Sequence, residues 1–457
     1  MRTTIQFAIP ALFLAFTLSA VAHDGDHQDL RHWELASPDP DRIFLTFHGD
    51  PATRRAVTWR TDAGVKRAVA EIAVALGEPG FDQTAKRVEA KTETVDLSEA
   101  LDTTQGEVLY HSAIFENLQP GTLHAYRVGD GDQRWPEWIQ FRTASKEPKS
   151  FSFVYFGDAQ NDVLSRWSRI IRMAHQTAPD AAFALHAGDL IHWADADTEW
   201  AEWFKAGGYL HSQWTGIPVT GNHEYKSKGV KSMLWRPQFT LPVESSLPEA
   251  LHKTAYTVDY QGVRIIALNS NEKVSEQAAY LDAQLKEPGY RWSVVTFHHP
   301  IFSPSGRNNY DEQDRQGWKA LFAKHNVDFV LQGHDHPYVR GQVPVIDKDG
   351  APGSGFTIHV TSVSGPKQYE IKKGQLESYE SEGYTTQRKA LNTQFFQVIE
   401  IDGDRASYKA YTAAGALYAA AVIEKNHATG EKKIIQRIPD TDERTYENTV
   451  KYSKENL

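Results

Sequence analysis

Cysteine is missing altogether from the 457 residues. That absence excludes a disulfide framework, a thiolate metal site and a cysteine nucleophile. A cationic excess is missing too. The formal net charge is -10, with acids and bases interspersed, so the sequence carries neither a nucleic-acid footprint nor a polybasic membrane patch, and the expected ligand is small. Long apolar runs are scarce, and the one at the amino end, residues 7–18, is too short to cross a bilayer comfortably. With Arg2 before it and Ala20 and Ala22 after it, it reads as a secretory signal over residues 1–22, cut after Ala22. The mature chain is then expected to be secreted or periplasmic, without a membrane anchor; an uncleaved anchor is the alternative. A periplasm suits an exported chain that manages without disulfides.

What is present, 40% hydrophobic and 24% charged residues, suits a globular chain of two or more domains. Residues 23–40 are a leader of histidines, acids and prolines, readable as a solvated tail or as a weak metal-capturing one. Over 41–146, segments such as RIFLTFHG, RRAVTWRTD, EVLYHSAIF and LHAYRVG are short, rich in β-branched and aromatic residues and separated by turns. Such spacing predicts an antiparallel β-sandwich of about seven strands. After the charged joint SKEPKS the pattern changes. Over 150–425, buried-looking strands (FSFVYFGD, AAFALHAGD, VRIIALN, WSVVTFHH, VDFVLQGHDH) alternate with amphipathic stretches such as VLSRWSRIIRMAH and RQGWKALFAKH. That alternation predicts an α/β domain with its sheet covered on both faces. FFQVIEID, ASYKAYT and ALYAAAVIE are expected at its sheet edge, and residues 426–457 form a charged tail.

The polar residues then fall into a pattern. Asp158, Asp189, Asn222, His223, His298, His299, His334 and His336 each stand just past the carboxyl end of an expected strand, the rim where α/β sheets bind ligands. A strand-end Gly-Asp alone is commonly a turn, and a lone His-His-Pro is commonly structural. Two carboxylates, an amide oxygen and several imidazoles together suit Zn, Mn or Fe as divalent ions.

FGDAQ, AGDLIH, GNHE, VTFHHP and GHDHPYVR resemble the five ordered blocks of the calcineurin-like metallophosphoesterases, in the purple acid phosphatase branch, and DRIFLTFHGDPATRRAVTWRTD is similar to that branch's fibronectin-like sandwich. The resemblance implies a two-domain chain, with a fibronectin III-like sandwich ahead of a four-layer α/β metallophosphoesterase domain. It implies two divalent metal ions: Asp158 and His336 on the first, Asp189 bridging, and Asn222, His298 and His334 on the second. His223 would act catalytically on a small phosphorylated substrate. Two cations about 3.5–4 Å apart activate water for in-line attack at phosphorus. Glu224 is read either as an acid orienting His223 or as a solvated residue, and His299 as supporting the site without ligating.

The chain departs from that family's pattern at two positions. Where the purple enzymes have a metal-binding tyrosine three residues after the bridging aspartate, this chain has His192, and where other members have a histidine in the first block it has Gln160. Either His192 or Gln160 completes the first metal site, or His192 is a core histidine. Without the tyrosinate a colourless centre is expected. After the fourth block stand Arg307, Asn308 and Asn309; Arg307 is read as a phosphate clamp or as part of a mobile loop. The leading reading is a secreted phosphomonoesterase. A phosphodiesterase on the same core and a non-catalytic phosphate-ligand-binding protein are the alternatives.

Overall fold

In the computed structural model the described residues are 31–307, 310, 312–346 and 352–450. The expected signal, the first part of the leader (23–30), Asn308 and Asn309 lie outside them. No helix among the described residues is long and apolar enough to cross a membrane.

Residues 41–142 form eight strands in two antiparallel groups. Asp41–Thr46, Arg55–Asp62, Glu107–Phe115 and Lys91–Asp96 make one, and Lys86–Glu89, Val69–Val74, Leu123–Gly129 and Ile139–Arg142 the other. Their facing side chains, among them Leu45, Val57, Trp59, Ile72, Phe115, Tyr126 and Phe141, make a core between the two groups. The first group is not a free-standing sheet. Strand 41–46 pairs in parallel with Thr215–Pro218, with Thr46 opposite Gly216, so it continues into one eleven-stranded sheet. Gly216 permits this close approach, because a Cβ there would lie 2.2 Å from the Phe44 ring.

Beyond that joint the large sheet runs through the parallel strands Thr215–Pro218, Phe183–His186 and Phe151–Phe156 to the antiparallel Phe395–Asp402, Arg405–Thr412, Leu417–Lys425 and Lys432–Gln436. The last of these falls within the expected tail. It forms a strand because the Lys432 ammonium is buried against Asp328 Oδ1 at 2.8 Å and also donates to three backbone carbonyls. A second sheet orders Tyr256–Tyr260, Val263–Ala267, Trp292–Thr296, Phe329–Gln332, Pro352–Thr361, Tyr338–Ile346 and Thr385–Ala390, parallel from the second to the fifth.

Alternation of side chains along the strands builds the layers. Val294, Phe329 and Leu331 enter the core shared by the two sheets, whereas Val295 and Val330 face outward into a cluster with Leu281 and Leu285 of helix Val274–Lys286 and Trp318 and Phe322 of helix Glu312–Lys324. Helices Ser168–Thr177 and Asp197–Gly207 cover the other sheet through Ile170, Ile171, Trp200 and Trp203. The result is helix, sheet, sheet, helix, and both sets of parallel strands bring their carboxyl ends to one rim.

Candidate metal centre

Each expected ligand sits in a loop leaving this rim. Asp158 follows strand 151–156, Asp189 follows 183–186, Asn222 follows 215–218, His298 follows 292–296, and His334 and His336 follow 329–332. Two of these residues are themselves strained: Asp189 and His334 have φ of 51° and 69°, a left-handed conformation costing about 1–2 kcal/mol each for a residue with a Cβ. What stabilises the Asp189 turn is Glu224. Its fully buried carboxylate accepts the N–H groups of Asp189 (3.0 Å), Leu190 (2.8 Å) and Gly221 (2.6 Å). Glu224 is thus not solvated; it organises the turn that carries Asp189. Burial and then Asp189 push its carboxyl up to about 8. Gly221 is required here, because a Cβ would lie 2.1 Å from Asp189 Oδ1.

Four donor atoms converge at one point. Asn222 Oδ1 lies 2.8 Å from His334 Nδ1 and 3.1 Å from His298 Nε2; His298 Nε2 lies 3.3 Å from His334 Nδ1 and 3.1 Å from Asp189 Oδ2. His298 Nδ1 donates to the Ala187 carbonyl at 2.9 Å, and since a carbonyl only accepts, Nε2 is left to ligate. Separations near 3 Å are edges of a coordination shell for a cation with ligands at about 2.1 Å. The donors therefore fit a divalent ion. The electrostatics agree: burial opposes a charge on His298, yet Asp189 outweighs it and raises the imidazole to about 9. Burial likewise pushes Asp189 up, but His298 and His223 hold it well below the usual carboxylate range. The cluster thus favours positive charge.

Asp158 is fully buried, and both its oxygens accept the His334 N–H, at 2.8 and 3.0 Å. Burial raises its carboxyl well above the ordinary range. With Asp189 and His298 it forms one compact group able to hold a metal ion; His298, His299 and His334 form another. His299 Nδ1 contacts Ser270 Oγ at 2.9 Å, and burial pushes the ring down to about 3.

His336 and His192 are placed differently. His336 Nε2 is 3.9 Å from Asp158 Oδ1 and belongs to neither group. Between it and Asp189 lies Gln160, whose Nε2 is 3.0 Å from Asp189 Oδ2 and 3.3 Å from His336 Nε2. His192 Nδ1 meets the other end of that amide, Oε1, at 3.1 Å. Half-buried, with its ring stacked on His223 at 4.7 Å, His192 is not a core histidine; its backbone carbonyl accepts His223 Nδ1–H at 2.5 Å. His223 therefore turns Nε2 toward the cluster, 3.9 Å from Asp189 Oδ2.

Three further residues escape the sequence reading. Lys367 places Nζ 3.4 Å from Gln160 Oε1, and its carbonyl accepts His336 Nδ1–H at 2.6 Å. Tyr369 lies against His336 at 4.3 Å and under the exposed Arg307 guanidinium at 4.0 Å. Asp335 accepts Ser303 Oγ–H and Ser305 N–H, at 2.5 and 2.9 Å, which fixes the loop carrying Arg307. The available signal was position: SGPKQY follows FTIHVTSV, another strand parallel to 329–332 that ends on the same rim.

This fold, with acid, amide and imidazole donors gathered at the carboxyl ends of two parallel strand sets, is that of the metallophosphoesterases. Residues 40–143 match the family described as purple acid phosphatase, N-terminal domain, and residues 151–338 the family described as calcineurin-like phosphoesterase. The chain thus joins a purple acid phosphatase N-terminal domain to a calcineurin-like phosphoesterase domain. An uncharacterized protein of Mycobacterium tuberculosis, known from strains H37Rv and CDC 1551, is 27% identical over 344 residues, 66% of this chain. The match spans only 62% of that relative's length. Among solved structures, a purple acid phosphatase from yellow lupin (Lupinus luteus) seeds has a TM-score of 0.69 at 17% identity over 90% of this chain and 75% of its own. PhoD has a TM-score of 0.61 at 12% identity over 90% and 95%. At these identities the likeness is one of fold.

Proposed function

We propose that this chain is a secreted or periplasmic metal-dependent hydrolase of small phosphate esters, acting as an acid-phosphatase-like phosphomonoesterase. The observation that carries the reading is the convergence of Asp189, Asn222, His298 and His334 beside a histidine with one ring nitrogen already tied. A divalent ion bound there supplies Lewis acidity, polarising the phosphoryl oxygens and making water a better nucleophile. The amide of Asn222 adds no negative charge, so the centre stays positive enough to attract a phosphate dianion. Arg307, stacked on Tyr369, presents a planar cation suited to two phosphate oxygens.

Hydrolysis forms a bond from water oxygen to phosphorus and breaks the bond to the ester oxygen, which leaves as an alkoxide and takes up a proton. His223, when it carries hydrogen on both ring nitrogens, would give that proton from Nε2, since Nδ1–H is held by the His192 carbonyl. A phosphate-binding protein would have no use for this donor. Purified, metal-loaded protein assayed on a panel of mono- and diesters tests the reading. Monoester turnover is expected, with Asp189→Asn losing both metal and turnover and His223→Ala losing turnover, by about 10²-fold or more, while retaining metal. A His223→Ala variant of unchanged rate, or hydrolysis confined to diesters, would refute the assignment.

A further inference from the structure

The donor set for a first cation does not match that for the second. Gln160 decides this, since its orientation is fixed by its neighbours. Oε1 accepts from the Lys367 ammonium at 3.4 Å and faces His192 Nδ1 at 3.1 Å; turning the amide over would set its NH₂ group against that ammonium. Nε2 must then point at Asp189 Oδ2 and His336 Nε2, at 3.0 and 3.3 Å. An amide nitrogen is a donor without a lone pair to give a metal. His336 Nδ1–H is spent on the Lys367 carbonyl at 2.6 Å, so its Nε2 is an acceptor, and Gln160 satisfies it. Asp158 receives the His334 N–H on both oxygens. Asp158, Asp189 and His336, which the family resemblance gives to a first cation beside His192 or Gln160, thus each accept a hydrogen bond from the chain itself.

Backbone geometry makes this arrangement part of the fold. The N–H groups of Ala159 and Gln160 both donate to the Asp189 carbonyl, at 3.0 and 3.1 Å, and Ser364 N–H donates to the Asp158 carbonyl at 3.0 Å. The loop carrying Lys367 is therefore tied directly to the one carrying Gln160. An ammonium one amide away from the Asp189 carboxylate also contributes the positive charge that a second metal would bring, and repels a cation approaching that position.

We propose that the chain builds a one-cation centre: the ion is held by Asp189, Asn222, His298 and His334, while Gln160 and Lys367 close the first position with hydrogen bonds and a fixed positive charge. The inference rests on the proposed metal-dependent function only in placing a cation at the second position. Lys367 is a positioning residue, acting through Gln160.

The test uses Mn(II) alone, added in excess to the full chain and followed by desalting, metal analysis and electron paramagnetic resonance. Retention of about one Mn(II) per chain with the spectrum of an isolated ion is expected. Two retained ions with an exchange-coupled spectrum would overturn the inference yet leave the proposed hydrolysis standing; no retained ion would overturn both. In the folded double variant Gln160→His/Lys367→Met, which supplies a ligand and removes the charge, retention should rise toward about two with a coupled spectrum. A double variant that still holds about one ion would overturn the roles given to these two residues.

Discussion

Replacing His186 by phenylalanine should make the protein markedly less sensitive to acid. His186 is the last residue of strand 183–186, only 1% exposed, and packed between Phe156 at 5.2 Å and Trp203 at 5.4 Å. Neither ring nitrogen has a hydrogen-bond partner. Burial, and then His211, hold its pKa well below 6.5. The unfolded chain therefore binds a proton near pH 6.5 that the folded chain refuses, so this group's penalty is absent above that pH and grows as pH falls below it. At about 1.4 kcal/mol per pH unit, it reaches about 2 kcal/mol at pH 5. Phenylalanine keeps the ring contacts and abolishes the titration. Any packing cost is independent of pH and cancels when the variant is compared with the parent at two pH values. Urea unfolding at pH 5.0 and 7.5 should give a His186→Phe minus parent stability difference about 2 kcal/mol more favourable at the lower pH. An equal difference at both would show that His186 is not a neutral, unpartnered imidazole.

Two other outcomes are expected. Glu224→Gln should weaken Mn(II) retention by loosening the Asp189 turn, because one of the two oxygens that accept the Asp189, Leu190 and Gly221 N–H groups becomes a donating NH₂. Between about pH 4.5 and 8 the folded chain keeps a proton on this acid that the unfolded chain has released, so the parent loses stability as pH rises through that window and the amide variant does not. Calorimetry should therefore find the cost of Glu224→Gln larger at pH 6 than at pH 9 by about 3 kcal/mol, and a cost that does not vary with pH would refute the environment given to Glu224. Iron-loaded protein should lack the visible charge-transfer band of a tyrosinate-ligated ferric ion, since His192 replaces the tyrosine of that turn. A purple preparation would contradict this.

The rim was legible in the sequence because parallel strands buried on both faces read as unbroken apolar runs, and the residues just after each run lie by topology at the ligand-binding edge. That placed Asp158, Asp189, Asn222, His298, His334 and His336 correctly on one rim. The direct contact between Gln160 and Lys367 was not legible. These residues are 207 positions apart, and no local pattern specifies which way an amide turns. The strand 432–436 was hidden for a different reason: lysines read as solvated until Asp328, more than a hundred residues earlier, supplies a buried partner. Glu224 gave two readings in sequence and a third in structure, because its ligands are backbone N–H groups, which every residue carries.

The joining of the amino-terminal strands to the large sheet bears on any attempt to divide this protein. An excised phosphoesterase domain beginning near residue 150 would leave strand 215–218 with an open edge where strand 41–46 had paired, an invitation to association with other chains. It would also strand Asp197, 1% exposed, whose carboxylate is held by Arg42 at 2.7 Å and Arg60 at 3.2 Å, both supplied from the other side of the cut. Losing both leaves an uncompensated buried charge, and such losses cost about 3–5 kcal/mol. The amino-terminal strands are therefore not a detachable appendage: a deletion made to isolate catalysis would be expected to yield aggregate.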